Sequence, residues 1–204
     1  MAIGNYAELQ TAIANWLARD DLAAVIPDFV RLADSRINQE LRTREMIARA
    51  KKTVNEGEQY LTLPADFLEA RNIQVNGSPE RMLRYRTPDT LDQRHLPIPA
   101  GKPAFYTFIG DEIQLAPVPD STYEIEIAYY ASPAPLADNQ PTNWLLRKHP
   151  EVYLYGALIE AAAYIGDDKR ISLWTTGFTN SINNINKRNK RAIYSGSSLE
   201  VVPT

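Results

Sequence analysis

PTNWLLRKHPEVYLYGALIEAAAYIGDD, residues 141–168, is the stretch whose reading decides the fold. It carries Trp144, Leu145, Leu146, Val152, Tyr153, Leu154, Tyr155, Leu158 and Ile165, and almost nothing that performs chemistry. Its spacing predicts a helix from Pro150 to Ile165. Gly166 fits the left-handed position after the last turn, and Asp167-Asp168 can start the next helix. That next helix is expected over about 169–194, with Ile171, Trp174, Phe178, Ile182, Ile185 and Asn189 on one face. A chain whose richest segment is built to pack reads as an assembly part more readily than as an enzyme.

Working toward the N-terminus, a helical period reappears at residues 5–18. Asn5 can cap it, and Tyr6, Leu9, Ile13, Trp16 and Leu17 share a face. A second helix begins near Pro27, repeats through Phe29, Val30, Ala33, Ile37 and Leu41, and is expected to reach about Arg44. The short link at 19–21 makes the two a helical hairpin.

Between the helical pairs the period is two. Val54, the turn Asn55-Glu56-Gly57-Glu58 and Tyr60–Leu63 read as one hairpin. Leu68–Val75, Asn76-Gly77 and Met82–Tyr85 read as a second. Phe105–Ile109, Gly110-Asp111 and Glu112–Leu115 read as a third. Tyr123–Tyr130 alternates Tyr123, Ile125, Ile127 and Tyr129 against Glu124, Glu126 and Ala128. A one-turn helix is expected from Thr87-Pro88 to about Gln93.

The expected fold class is therefore α+β. Residues 1–50 and 136–194 supply a four-helix bundle-like core, two helices from each end of the chain. Residues 51–135 form an inserted antiparallel β-rich module, and 195–204 are a flexible C-terminal tail. Trp16, Trp144 and Trp174 are expected as core anchors.

Composition narrows the function. The chain has 204 residues, 44% hydrophobic, no cysteine, two histidines and a formal net charge of −3. Disulfides, thiolate metal sites, a cysteine nucleophile and a histidine-rich metal site are excluded. No apolar run approaches the ~18 residues of a membrane span. The start, MAIGNYAELQ, lacks the pattern of a secretory signal. No cofactor is expected.

Few residues stand out as sites. Asp111 and Glu112 read as a polar hairpin turn, because neighbours in a strand face opposite sides and a carboxylate pair must converge to catalyse. His149 sits before Pro150 at a helix start, and His95 lies in a proline-rich loop without a partner in sequence. Lys187, Arg188, Lys190 and Arg191 place four cations in five residues. They read either as a contact for DNA or an acidic neighbouring subunit, or as a solvated last turn opposing the helix dipole. Residues 51–146 hold 8 Lys+Arg and 13 Asp+Glu, a net of −5. Opposite charge in two parts of one chain suits docking of neighbours in one orientation. Tyr194, Leu199, Val201 and Val202 are apolar anchors among small polar residues, read as partner contact or as terminal fraying.

Taken together, LTLPADFLEARNI (61–73), LRYRTPDTL (83–91), GKPAFYTFIGDEIQLAPVPD (101–120), YEIEIAYYASPAPL (123–136), PTNWLLRKHPEVYLYGALIEAA (141–162) and YSGSSLEV (194–201) resemble the head-to-tail adaptor family of tailed bacteriophages. The resemblance spans nearly the whole chain. It implies a structural protein of the virion neck, made in the host cytoplasm, and not an enzyme. It implies a homo-oligomeric ring, typically dodecameric, docked under the portal protein and joined to a tail or nozzle protein. DNA would pass through its channel without sequence-specific binding, and no membrane is involved. Because C-terminal segments of such adaptors commonly reach onto the portal, Tyr194, Leu199, Val201 and Val202 are read as portal contacts. Two other readings remain: a virion-associated hydrolase using acidic residues of the β-module, and a DNA-binding protein using the basic C-terminal helix.

Overall fold

The computed structural model describes residues 3–19, 21–92, 99–166 and 169–194. The architecture is α+β, with six α-helices and two four-stranded sheets among the described residues. The chain divides into two compact units, Met1–Glu45 with Pro133–Thr204, and Met46–Ser132. His95 and the pair Asp167-Asp168 lie outside the described residues.

The first unit is helical: α1 (Tyr6–Leu17), α2 (Ile26–Glu40), α4 (Trp144–Lys148), α5 (Pro150–Ile165) and α6 (Ile171–Tyr194). Helix α5 is apolar nearly all round, so one partner cannot bury it. It packs against α1, α2, α4 and α6. Gly156 permits the close approach of α2, since a Cβ there would lie 3.0 Å from the Ala33 Cβ.

The helix ends follow local chemistry. Asn5 Oδ1 accepts from the Glu8 N–H (2.9 Å), and Glu8 Oε2 accepts from the Gly4 N–H (2.7 Å), a reciprocal cap shifted one residue outward. Gly166 closes α5 at φ 89°.

Four expectations about this unit need correction. Helix α2 stops at Glu40, not near Arg44; Leu41 turns extended and is fully buried, so its side chain gains more from the core than from another helical turn. Helix α4 was not anticipated. Asn143 caps it by accepting from the Leu146 N–H (2.8 Å), and Pro150, which has no N–H to continue a ladder, forces a break at His149. Trp174 is core, but Trp144 is only half-buried and Trp16 is 46% exposed, edge-on to Tyr155 at 5.9 Å. Ile171 is 41% exposed; the space over the neighbouring Trp174 ring is taken by the Arg170 guanidinium at 4.8 Å.

The second unit holds both sheets. One has the order β1 (Ile47–Val54), β8 (Tyr123–Ala131), β3 (Phe67–Val75), β4 (Arg81–Met82). The other runs β2 (Tyr60–Thr62), β7 (Glu112–Ala116), β6 (Phe105–Ile109), β5 (Arg84–Tyr85), with the one-turn α3 (Pro88–Asp92) on β6. Their shared core includes Val54, Leu61, Ile73, Val75, Ile113, Leu115, Ile125, Ile127 and Tyr129. The inward alternation of β8 is as read from sequence. Its outward Glu126 is nonetheless nearly covered and held by Arg49 at 2.7 Å.

Strand pairing departs from the expected hairpins. β1 does not pair with β2; it pairs along its whole length with β8, while β2 pairs with β7. The Asn55–Glu58 turn exists, with the Glu58 N–H on the Asn55 carbonyl at 3.1 Å, but it carries the chain from one sheet to the other. An eight-residue strand finds far more ladder on nine-residue β8 than on three-residue β2. The stretch 82–85 likewise splits. Arg81–Met82 pairs antiparallel with β3, Arg84–Tyr85 pairs parallel with β6, and the buried Leu83 between them marks the crossing. The β6–β7 hairpin forms as read, whereas of the second expected hairpin only the end pairs, Val75 with Arg81 and Gln74 with Met82.

Candidate partner-binding surface

Helix α6 divides along its length. Trp174, Phe178, Ile182 and Ile185 recur at helical spacing and are buried. Gly177 lets α6 close on α5, because a Cβ there would lie 3.0 Å from the Tyr155 ring. At the next position of that stripe stands Asn189. Its Oδ1 accepts from the Arg44 N–H (3.0 Å), and its side-chain amide donates to the Arg42 carbonyl (3.3 Å). Asn189 thus satisfies two backbone groups in the turn that follows α2, and pins residues 42–44 onto α6.

That pin fixes where the basic residues point. At about 100° per residue, Lys190, Lys187, Arg191 and Arg188 fan over roughly 160° of the helix, and Asn189 lies about 180° from the middle of the fan. All four are exposed. The sequence-selected cluster is therefore an outward ridge at the end of α6, and the pinned turn brings Arg42 and Arg44 beside it.

Two clefts flank the pin. One, of about 400 Å³, is lined by Glu40, Arg42, Asn183, Asn186, Lys187, Asn189 and Lys190. The other, of about 280 Å³, joins Arg44, Glu45, Trp144, His149, Ile185, Arg188 and Asn189. Its floor is the half-buried Trp144 and the buried Ile185; its rim carries two guanidinium groups. Glu45 pairs with Lys148 at 3.4 Å. Partial burial pushes the Glu45 carboxyl up, but its own backbone N–H, Lys148 and Arg44 outweigh that and hold it below its usual range. His149 lies between α4 and α5, its Nδ1 3.4 Å from Glu151.

A buried polar network lies in the helical core. The Asn143 side-chain amide donates to the Tyr153 hydroxyl (2.7 Å) and to the Ala134 carbonyl (2.8 Å). Tyr153 and the Leu136 N–H in turn face Asp34. Burial pushes the Asp34 carboxyl up to about 6 against those two hydrogen bonds, and burial with the nearby Asp34 pushes Tyr153 up as well. Asp34 also lines a cleft of about 200 Å³ with Tyr6, Gln10, Pro27, Arg31 and Asp138. The network ties the chain returning from residue 133 to α2 and α5.

Asp111 lies in the β6–β7 turn beside Gly110 (φ 58°) and Glu112 opens β7, both exposed. No group of three metal-ligating side chains occurs among the described residues. Tyr194 ends α6, while Leu199, Val201 and Val202 lie outside the described residues. Sequence reading missed Arg42, Arg44 and the cleft with Trp144. The one available signal was Asn189, a polar residue at an apolar-stripe position, which marks a pinned turn.

The profile of the SU10 adaptor protein family matches residues 4–201, and the chain belongs to that family of phage head-to-tail adaptors. Membership identifies a phage structural protein and virion component, of a kind that meets portal and tail proteins and is ordinarily not an enzyme. No curated protein matches the chain. Among the described residues no helix is long and apolar enough to cross a membrane.

Proposed function

We propose that this chain is the neck adaptor that docks as a dodecameric ring beneath the portal, links it to a tail or nozzle protein, and lets DNA pass through the ring without sequence-specific binding. The family match over residues 4–201 carries this reading. The helical unit supports it, since α6 offers solvent a fixed basic ridge beside two clefts. On this reading α1, α2, α5 and α6 serve as a bundle-like frame, the β-unit is an inserted module, and no bond in a substrate is made or broken. A ring requires a heterologous contact that closes by rotation. Each contact need be only modest, because many copies and the portal act together through effective concentration. Tyr194, Leu199, Val201 and Val202 are proposed to reach the portal.

Light scattering of purified portal with and without the chain tests this. A complex adding twelve copies is expected; no change in mass refutes it. Deleting 195–204 is expected to leave the fold intact and abolish portal capture in a pull-down, and retained capture refutes the tail's role.

The outward ridge favours one second reading, contact with DNA phosphates. A gel shift at physiological salt separates the two: sequence-independent retardation that fades with salt supports phosphate contact, and free migration removes it.

A further inference from the structure

We propose that the tip of the β6–β7 hairpin, residues 109–112, docks against the basic end of α6 in a second copy of the chain. Both halves of this contact are left without a partner in the single chain. Lys187, Arg188, Lys190 and Arg191 are exposed and form no ion pair among the described residues. Beside them, in the cleft of about 400 Å³, Arg42, Lys187 and Lys190 stand against one carboxylate, Glu40. On the β-unit several carboxylates are engaged within the chain. Glu124 holds Lys51 at 3.0 Å, Glu126 holds Arg49 at 2.7 Å, and Asp120 accepts from the Tyr123 hydroxyl at 2.6 Å. The carboxylates of Asp111 and Glu112 are exposed and make neither a hydrogen bond nor an ion pair among the described residues.

The tip suits the task. Gly110 turns the chain at φ 58°, and a Cβ there would meet nothing within 4 Å, so the turn is open at that position. Neighbouring side chains in a strand diverge. That spoils a catalytic pair but fits a tip that meets cations fanned over roughly 160° of a helix. Ile109, 44% exposed, adds an apolar side chain beside the carboxylates.

Charge favours a second copy over DNA phosphates. Residues 103–146 hold six carboxylates and no Lys or Arg, and the whole chain carries −3, so a nucleic acid meets a net-repulsive molecule. A second copy brings the opposite patch with every chain. Because the two patches differ, the contact is heterologous, the type a closed ring needs. Exposed ion pairs contribute little each, so the contact is weak alone, sensitive to salt and strengthened by repetition. Its place in a ring rests on the neck-adaptor reading above; the contact itself does not.

Charge reversal in two separate full-length chains tests this. One chain carries Lys187→Glu with Lys190→Glu, the other Asp111→Lys with Glu112→Lys. At low salt and about millimolar concentration, sedimentation velocity of the native chain is expected to show association. Each reversed chain alone should associate about tenfold more weakly, the size of two exposed ion pairs reversed. An equimolar mixture should regain the native affinity, because every helix end then finds a tip of opposite sign. A native chain that stays monomeric, or association that either reversal leaves unchanged, overturns the proposal. So does a mixture no tighter than its components, the result expected if the basic ridge meets only DNA or portal. Where the tip reversal unfolds the hairpin, Asp111→Asn with Glu112→Gln keeps its shape, and undiminished association of that chain overturns the proposal. A mixture restored only as a two-chain species supports the contact and refutes its place in a ring. A restored mixture that purified portal fails to capture refutes the portal reading and leaves the contact standing.

Discussion

Helices α5 and α6 lie against each other and use their surfaces in opposite ways. Helix α5 buries Val152, Tyr153, Leu154, Gly156, Ala157, Leu158, Ile159, Ala161 and Ala162, so little of it meets solvent. Among its described side chains helix α6 buries one stripe and gives most of the rest to water, with four exposed cations at 187–191. The difference teaches which side chains can carry a partner. On α5 nearly every substitution is felt by the core. Among the described side chains of residues 187–191 at the end of α6, the four cations are almost free of the fold, and Asn189 is not.

Trp174→Ala should have the largest effect, because it removes a fully buried ring where α6 meets the rest of the helical unit. A loss of about 3–5 kcal/mol is expected in urea denaturation. A loss below about 1 kcal/mol would mean that α6 packs far more loosely than described.

Asp34 tests the polar part of the α5 core. Its folded-state value of about 6 lies above the ordinary carboxyl value of 3.8. Stability from the protonated form is therefore fully present below pH 3.8 and is lost as pH rises through about 6. Between pH 4 and 7 the stability of Asp34→Asn relative to the native chain should rise by about 2 kcal/mol. A pH-independent difference in denaturation midpoints would contradict the half-buried placement of Asp34 beside Tyr153.

Asn189→Ala sits between the two regimes. It leaves the Arg44 N–H without its acceptor and should cost about 1–2 kcal/mol. It should also speed hydrogen exchange of the Arg44 amide well before the α5 amides. Equal protection in variant and native chain would show that the pin does not hold the turn.

Smallest for the fold is Lys187→Glu with Arg188→Glu, expected within about 0.5 kcal/mol of native stability. If the ridge faces a partner, the same pair should weaken portal capture at low salt more than at high salt. Unchanged capture at both would leave the ridge a solvated helix end.

Much of this was legible in the chain. The apolar stripes of α2 and α6, the all-round apolar run of α5, the alternation of β8 and the turn at Gly110-Asp111 depend on local pattern, which tertiary context did not override. The partners of β1 and β2 were not legible, because Val54 and Tyr60 flank a good turn whether they pair with each other or with β8 and β7. Trp16 was misplaced because its helical face reaches the margin of α1, where its ring meets Tyr155 edge-on and stays 46% exposed. The basic ridge was visible as composition. Its direction was not, since that depends on Asn189 meeting Arg42 and Arg44 from about 145 residues away in sequence.

The central claim is that this polypeptide joins a capsid vertex to a tail through the surfaces of many identical copies. An electron cryo-microscopy map of the intact particle tests it most directly. Twelve copies of this chain are expected in a ring at the junction between portal and tail. Density for the chain anywhere else in the particle would contradict it.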